Sequence, residues 1–193
     1  MTREAPERSA VLFFLLKFCV LAAVLLGVWW IIQPWYVSGV GKSAGLVIRY
    51  VAGIPLEGTE VDVDKTGVLN TKTSLVYRYE GRPIAIKVAF LVSNLPAYIA
   101  LILATGGIGW RRRLRALAFG SAILVAGHIA FLAIMFTFSR EVRAAPEIPT
   151  AFGVFVMTLP FLLWIVFAYW ERAAAWIEGA MDTGPKDKPA ARQ

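Results

Sequence analysis

The sequence holds a single cysteine and a single histidine, and that scarcity excludes several kinds of chemistry at the outset. Cys19 has no second thiol with which to close an intrachain disulfide or build a metal site, and one imidazole, His128, cannot form a histidine cluster. Charge is also scarce, at 17% of residues, and no Asp or Glu falls inside the long apolar runs. A Gly-rich phosphate loop and a nucleophile beside a base are both missing. No catalytic, metal-binding or cofactor-binding residue is therefore assigned from motifs, and the chain reads as noncatalytic.

What it has in abundance is apolar surface. At 58% hydrophobic, the composition exceeds what one globular core uses. Crossing about 30 Å of hydrocarbon takes roughly 20 apolar residues, and four stretches are long enough: Ala10–Ile32, Val88–Gly109, Ala116–Phe138 and Ile148–Trp170. The expected fold is a membrane all-α bundle of four transmembrane helices, with a small extracytoplasmic helix and antiparallel strands between the first two. The first run continues through Trp29, Trp30 and Ile32 without an Ala-x-Ala cleavage site, so it reads as an uncleaved anchor and not as a secretory signal. Lys17 snorkels from it to the headgroups, and Cys19 in its middle is expected to pack.

Orientation follows from the basic residues. Gly109-Trp110-Arg111-Arg112-Arg113-Leu114-Arg115 joins the second and third runs, and such a turn (110–115) stays in the cytoplasm. Both tails (1–9 and 171–193) then lie inside, while 33–87 and the loop 139–147 lie outside, as in a bacterial inner membrane. Trp29, Trp30, Trp35 and Tyr36 mark one interface, and Trp110, Tyr169, Trp170 and Trp176 the other. The sequence pI of 9.8 needs only membrane lipids as partner, so nucleic acid is excluded. From Thr183 the tail has the composition of disorder.

Within 33–87, Val40, Ala44, Val47, Ile48 and Val51 share one side of a helical wheel, which predicts an amphipathic helix lying on the outer membrane surface and ended by Gly53 and Pro55. Alternation over Thr59–Val63, Leu75–Tyr79 and Ile84–Val88 predicts three strands. The last two are joined by Glu80-Gly81-Arg82-Pro83 and feed directly into the second span.

Several residues invite a chemical reading. His128 lies mid-span with only Ser93, Asn94, Ser121, Thr137 and Thr158 as polar company. It reads as a neutral histidine hydrogen-bonded between helices, and His128 with Asn94 forms a possible intramembrane polar site. Asp62 and Asp64 share a strand face that reads as solvated surface, lacking a third ligand. Pro96 shapes the entry of the second span, and Pro160 should kink the fourth. Ala118, Ala122, Ala126 and Ala130 recur every four residues and are the candidate helix-contact stripe, with contact inside the bundle as the default.

The order of parts resembles the exosortase/archaeosortase family of membrane transpeptidase-like enzymes. The likeness spans about Val40 to Trp170 and is carried by Pro83 to Phe90, by Leu101-Ile102-Leu103-Ala104, by the turn from Trp110 to Arg115, and by Gly120 and His128. That resemblance implies a catalytic Cys at about Phe90, a catalytic Arg near Phe131, and a catalytic His further along. Phe90 and Phe131 instead mark degenerate active-site positions, Ser139–Pro149 holds no histidine, and an apolar plug at Phe90 is expected. The chain thus looks like the noncatalytic membrane proteins encoded beside exosortases, including the exosortase H-associated one, and its expected partner is an exosortase-like enzyme. The alternatives are a small transporter or channel subunit with His128 lining a path, and a lipid- or glycan-modifying enzyme using Asp62 and Asp64.

Overall fold

A computed structural model describes residues 5–63, 73–139 and 147–182. The first element, α1 (Ala5–Val51), is one helix of 47 residues, about 70 Å long at 1.5 Å per residue. The expected surface helix is therefore not separate. Pro34 withholds the amide that the Trp30 carbonyl would use, a cost of about 3 kcal/mol in a free helix. Packing on both sides of the proline offsets it: Trp29, Gln33, the adjacent Tyr36 and Val37, Val40, Ala44 and Ile48 follow a helical spacing of three or four residues and turn inward together. Of the face expected from the wheel, Val40, Ala44 and Ile48 are buried, whereas Val47 and Val51 are exposed. From Val11 to Val28 the helix is apolar apart from Lys17 and largely exposed, and Cys19 is exposed there instead of packed. Phe14 stacks on Trp164 from this stretch.

Three antiparallel strands follow: β1 (Gly58–Asp62), β2 (Ser74–Tyr79) and β3 (Arg82–Lys87), in the order β1-β2-β3. Register pairs Val61 with Leu75 and Leu75 with Ile86, so the inward residues of the strands line one face. The β2–β3 turn puts Glu80 at φ 51° and Gly81 at φ 69°, the left-handed pair that matches strand twist in a two-residue hairpin. The sheet lies on the C-terminal third of α1. Leu75 sits where a Cβ on Gly41 would be, and the Tyr77 hydroxyl donates to the Gly41 carbonyl at 3.0 Å. Burial pushes the Tyr77 phenol pKa well above its ordinary value.

The stretch expected as one span from 88 to 109 is broken and shorter. It forms α2 (Ala89–Val92) and α3 (Asn94–Ala104). The break has a cause: Pro96 lacks the amide that the Val92 carbonyl would receive, and the Ser93 hydroxyl bonds the Phe90 carbonyl at 2.7 Å. The true turn is residues 105–109, so the arginines do not form it. They are wound into the start of α4 (Trp110–Thr137). The last helix, α5 (Glu147–Asp182), runs unbroken past Pro160 and twelve residues beyond the expected end of the fourth span at Trp170.

Helix α3 packs against α1, α4 and α5, and α4 against α1 and α5. Three helices, α1, α4 and α5, are long and apolar enough to cross a membrane, while Ala89–Ala104 is apolar but shorter. Two apolar clusters fill the bundle. At the sheet end, Val37, Ile48, Leu75, Tyr77, Val92, Leu132 and Phe136 come together. At the Arg-rich end, Leu95, Tyr98, Ile102, Ala116, Leu124 and Leu163 do. Trp29 and Tyr36, expected as interface anchors, are instead packed against both.

Candidate functional site

Where the two clusters meet, a chain of side chains crosses all four helix layers. The Tyr36 hydroxyl of α1 lies 2.7 Å from Nδ1 of His128 on α4, and His128 Nε2 lies 2.9 Å from Oδ1 of Asn94 on α3. Asn94 Nδ2 donates to the Val156 carbonyl of α5 at 2.9 Å. The direction of the whole chain follows from its last link. A backbone carbonyl only accepts, so Asn94 must present Nδ2 to Val156 and Oδ1 to the imidazole. His128 then carries its proton on Nε2, and Tyr36 donates to Nδ1.

The end point of that chain is created by Pro160. Four residues before it stands Val156, whose carbonyl would accept from the amide that proline lacks. An orphaned carbonyl in an apolar interior needs a donor, and Asn94 supplies one from the neighbouring helix. Asn94 and Pro160, read separately in the sequence, thus belong to one device. His128 is 0% exposed and Asn94 5%, and both ring nitrogens are occupied. The imidazole therefore offers no free lone pair to a metal or to an incoming proton. It acts as a four-helix clasp.

The same face of α1 carries two further buried polar groups. Gln33 is 6% exposed, and the buried indole nitrogen of Trp29 has no hydrogen-bond partner among the described residues. Tyr36, Trp29 and Gln33 were not legible as part of a site. Their only signal was recurrence at helical spacing across Pro34. A second polar knot holds the Arg-rich end: Arg113 donates to the Thr105 carbonyl at 2.8 Å, and Trp164 Nε1 donates to the Thr105 hydroxyl at 2.8 Å.

The structure separates the remaining candidates. Phe90 is 71% exposed and fills no pocket, so the expected apolar plug is absent. Its neighbours Ala89, Leu91 and Val92 turn inward instead. Phe131 is half-buried and stacks on Phe152 of α5 at 5.6 Å. Ala118, Ala122, Ala126 and Ala130 are all exposed, which corrects the expectation that they pack inside the bundle. The inward face of α4 is the next one round: Ala116, Gly120, Leu124, His128 and Leu132. There Gly120 makes room for the Tyr98 ring, whose hydroxyl donates to the Ala116 carbonyl at 2.6 Å. Asp62 is exposed, Asp64 lies outside the described residues, and no group of potential metal ligands occurs among the described residues.

No family model, curated protein or solved structure matches the chain.

Proposed function

We propose that this chain is a noncatalytic membrane accessory protein of an exosortase-type protein-sorting system, a degenerate relative of the sorting enzyme that resembles the exosortase H-associated membrane protein. In this reading the bundle crosses a bacterial inner membrane four times, with both termini in the cytoplasm and the sheet outside. Helices α2 and α3 together make the second crossing. At about 24 Å they are short for about 30 Å of hydrocarbon, a mismatch that local bilayer thinning accommodates. At the break the Ser93 hydroxyl donates to the Phe90 carbonyl at 2.7 Å, and the flanking Leu91, Val92 and Asn94 are buried in the bundle, which is where interrupted helices are tolerated at membrane depth.

The observation that carries the reading is the outward stripe of α4. Ala118, Ala122, Ala126 and Ala130 are exposed beside the larger Phe119 and Ile123, and small residues at this spacing let a second helix approach closely, where packing replaces the missing hydrophobic drive. The imidazole beneath it is committed to Tyr36 and Asn94, which suits a rigid scaffold. A photo-crosslinking residue placed at Ala122 or Ala126 should capture an exosortase-type enzyme, whereas one at Val154, exposed on α5, should not. Ala122→Leu should abolish co-purification without unfolding the chain. A chain that captures no membrane protein from α4, and whose deletion leaves sorting intact, would sink the proposal.

One observation favours a second reading, a small transporter or channel subunit: the buried Gln33 and the Trp29 indole nitrogen, unpartnered among the described residues, lie on the same helix as Tyr36 and add to the polar interior of the bundle. His128→Ala separates the two, since a transported flux would be lost whereas a scaffold would lose stability alone.

A further inference from the structure

The four arginines near the start of α4 do different jobs, and the positive-inside rule accounts for their number but not for their placement. Arg113 is drawn inward to the Thr105 carbonyl. Arg112 and Arg115 instead border a groove of about 410 Å³ between α4 and α5, whose remaining walls are Ala116, Phe119, Val166, Phe167 and Trp170. The cationic residues occupy one end only. Below them the lining is wholly apolar, and from Arg112 to Phe119 it extends about 10 Å along the helix. Basic side chains in the first turns of a helix also run against its macrodipole, and Gly109 provides no side-chain cap. An anion at this end would be favoured by the guanidinium groups that border the groove and by the positive end of the α4 dipole.

We infer that this groove binds one anionic glycerophospholipid, its phosphate held by Arg115 at the basic end of the groove and the upper part of an acyl chain lying along Phe119, Val166 and Phe167. A free phosphate would leave the aromatic walls uncovered, and a zwitterionic lipid would bring a cation to the arginines. The inference requires that the chain lie in a bilayer and does not depend on any sorting role.

The full chain, purified in mild detergent, should retain phosphatidylglycerol over phosphatidylcholine in native mass spectrometry, and added phosphatidylglycerol should raise its melting temperature more than phosphatidylcholine or inorganic phosphate does. Arg115→Gln should weaken retention about fivefold, whereas Arg111→Gln, which removes the same charge from a residue outside the groove, should change it little. Val166→Trp fills the groove without altering charge and should also abolish the preference, so the site stays falsifiable even if Arg115→Gln fails to fold. Equal losses in Arg115→Gln and Arg111→Gln would reduce the effect to diffuse surface charge. Equal stabilisation by inorganic phosphate, equal retention of the two lipids, or undiminished retention by Val166→Trp would each overturn the site.

Discussion

The two ends of the bundle are held by different means. At the sheet end, residues distant in the chain are brought together by apolar area: Leu75 fits against Gly41, the Tyr77 ring meets Phe136 at 5.2 Å, and Val37, Ile48 and Leu132 close the cluster. The buried bond from Tyr77 to the Gly41 carbonyl reinforces it. At the Arg-rich end the cluster is smaller, and polar ties gather about the five-residue turn between α3 and α4, two to backbone carbonyls, Tyr98 to Ala116 and Arg113 to Thr105, and one from Trp164 to the Thr105 hydroxyl. The difference follows from what each end must do. A sheet can cover a helix with area, whereas a short turn between two apolar helices leaves carbonyls that need donors.

Breaking each end separately should therefore have separable consequences. The largest effect is expected for Tyr98→Ala, which removes a fully buried ring and its bond to Ala116. About 3–5 kcal/mol should be lost, read as a fall in the unfolding midpoint in detergent, with amide exchange rising first in α3 and the start of α4. If exchange rises equally in the sheet, the two ends are one cooperative unit and the contrast fails. Next comes Gly41→Leu, whose side chain must displace Leu75. About 1–3 kcal/mol of overpacking should free the sheet from α1, so that protease cuts within 52–88 while the Arg-rich end stays protected.

The smallest effect probes the link between the ends. Asn94→Leu leaves both the Val156 carbonyl and His128 Nε2 without their partner and should cost about 1–3 kcal/mol. In a Pro160→Ala background, Val156 regains an intrahelical donor, so the same change should cost less, by about 0.6 kcal/mol if the bond has the strength usual between membrane helices. A double-mutant cycle in detergent measures this coupling. Strict additivity would show that the carbonyl vacated by Pro160 is not what Asn94 serves.

Much of this architecture was legible in advance, and the misses share one cause. The apolar runs, the three strands and the Glu80-Gly81 hairpin are local patterns that period and turn chemistry decide. The mistakes lay where a local rule met packing. The first span is expected to end at Ile32, yet the helix continues through Pro34 because Trp29, Gln33, Tyr36 and Val37 pack on both sides of it. The Arg-rich stretch looked like a turn, yet Thr105, Gly106 and Gly107 turn first and leave the arginines helical. The alanine stripe looked like an interior contact, yet the adjacent face, with Gly120 under Tyr98, was the one used. Of the site, His128 and Asn94 were named together, but Tyr36 was read as an interface anchor and the Val156 carbonyl carried no signal of its own.

By itself, then, the sequence determined that the chain would be a set of long apolar helices with a small sheet after the first, because hydropathy and side-chain period act within a few residues of each other. It also determined that a carbonyl four residues before Pro160 would lose its donor. Only the tertiary structure decided which neighbour would supply one, which face of α4 would turn inward, and that Phe90 would face outward. Those outcomes depend on how helices are rotated against one another, and that rotation is set by the fit of whole surfaces, Gly41 against Leu75 and Gly120 against Tyr98, between residues far apart in the chain.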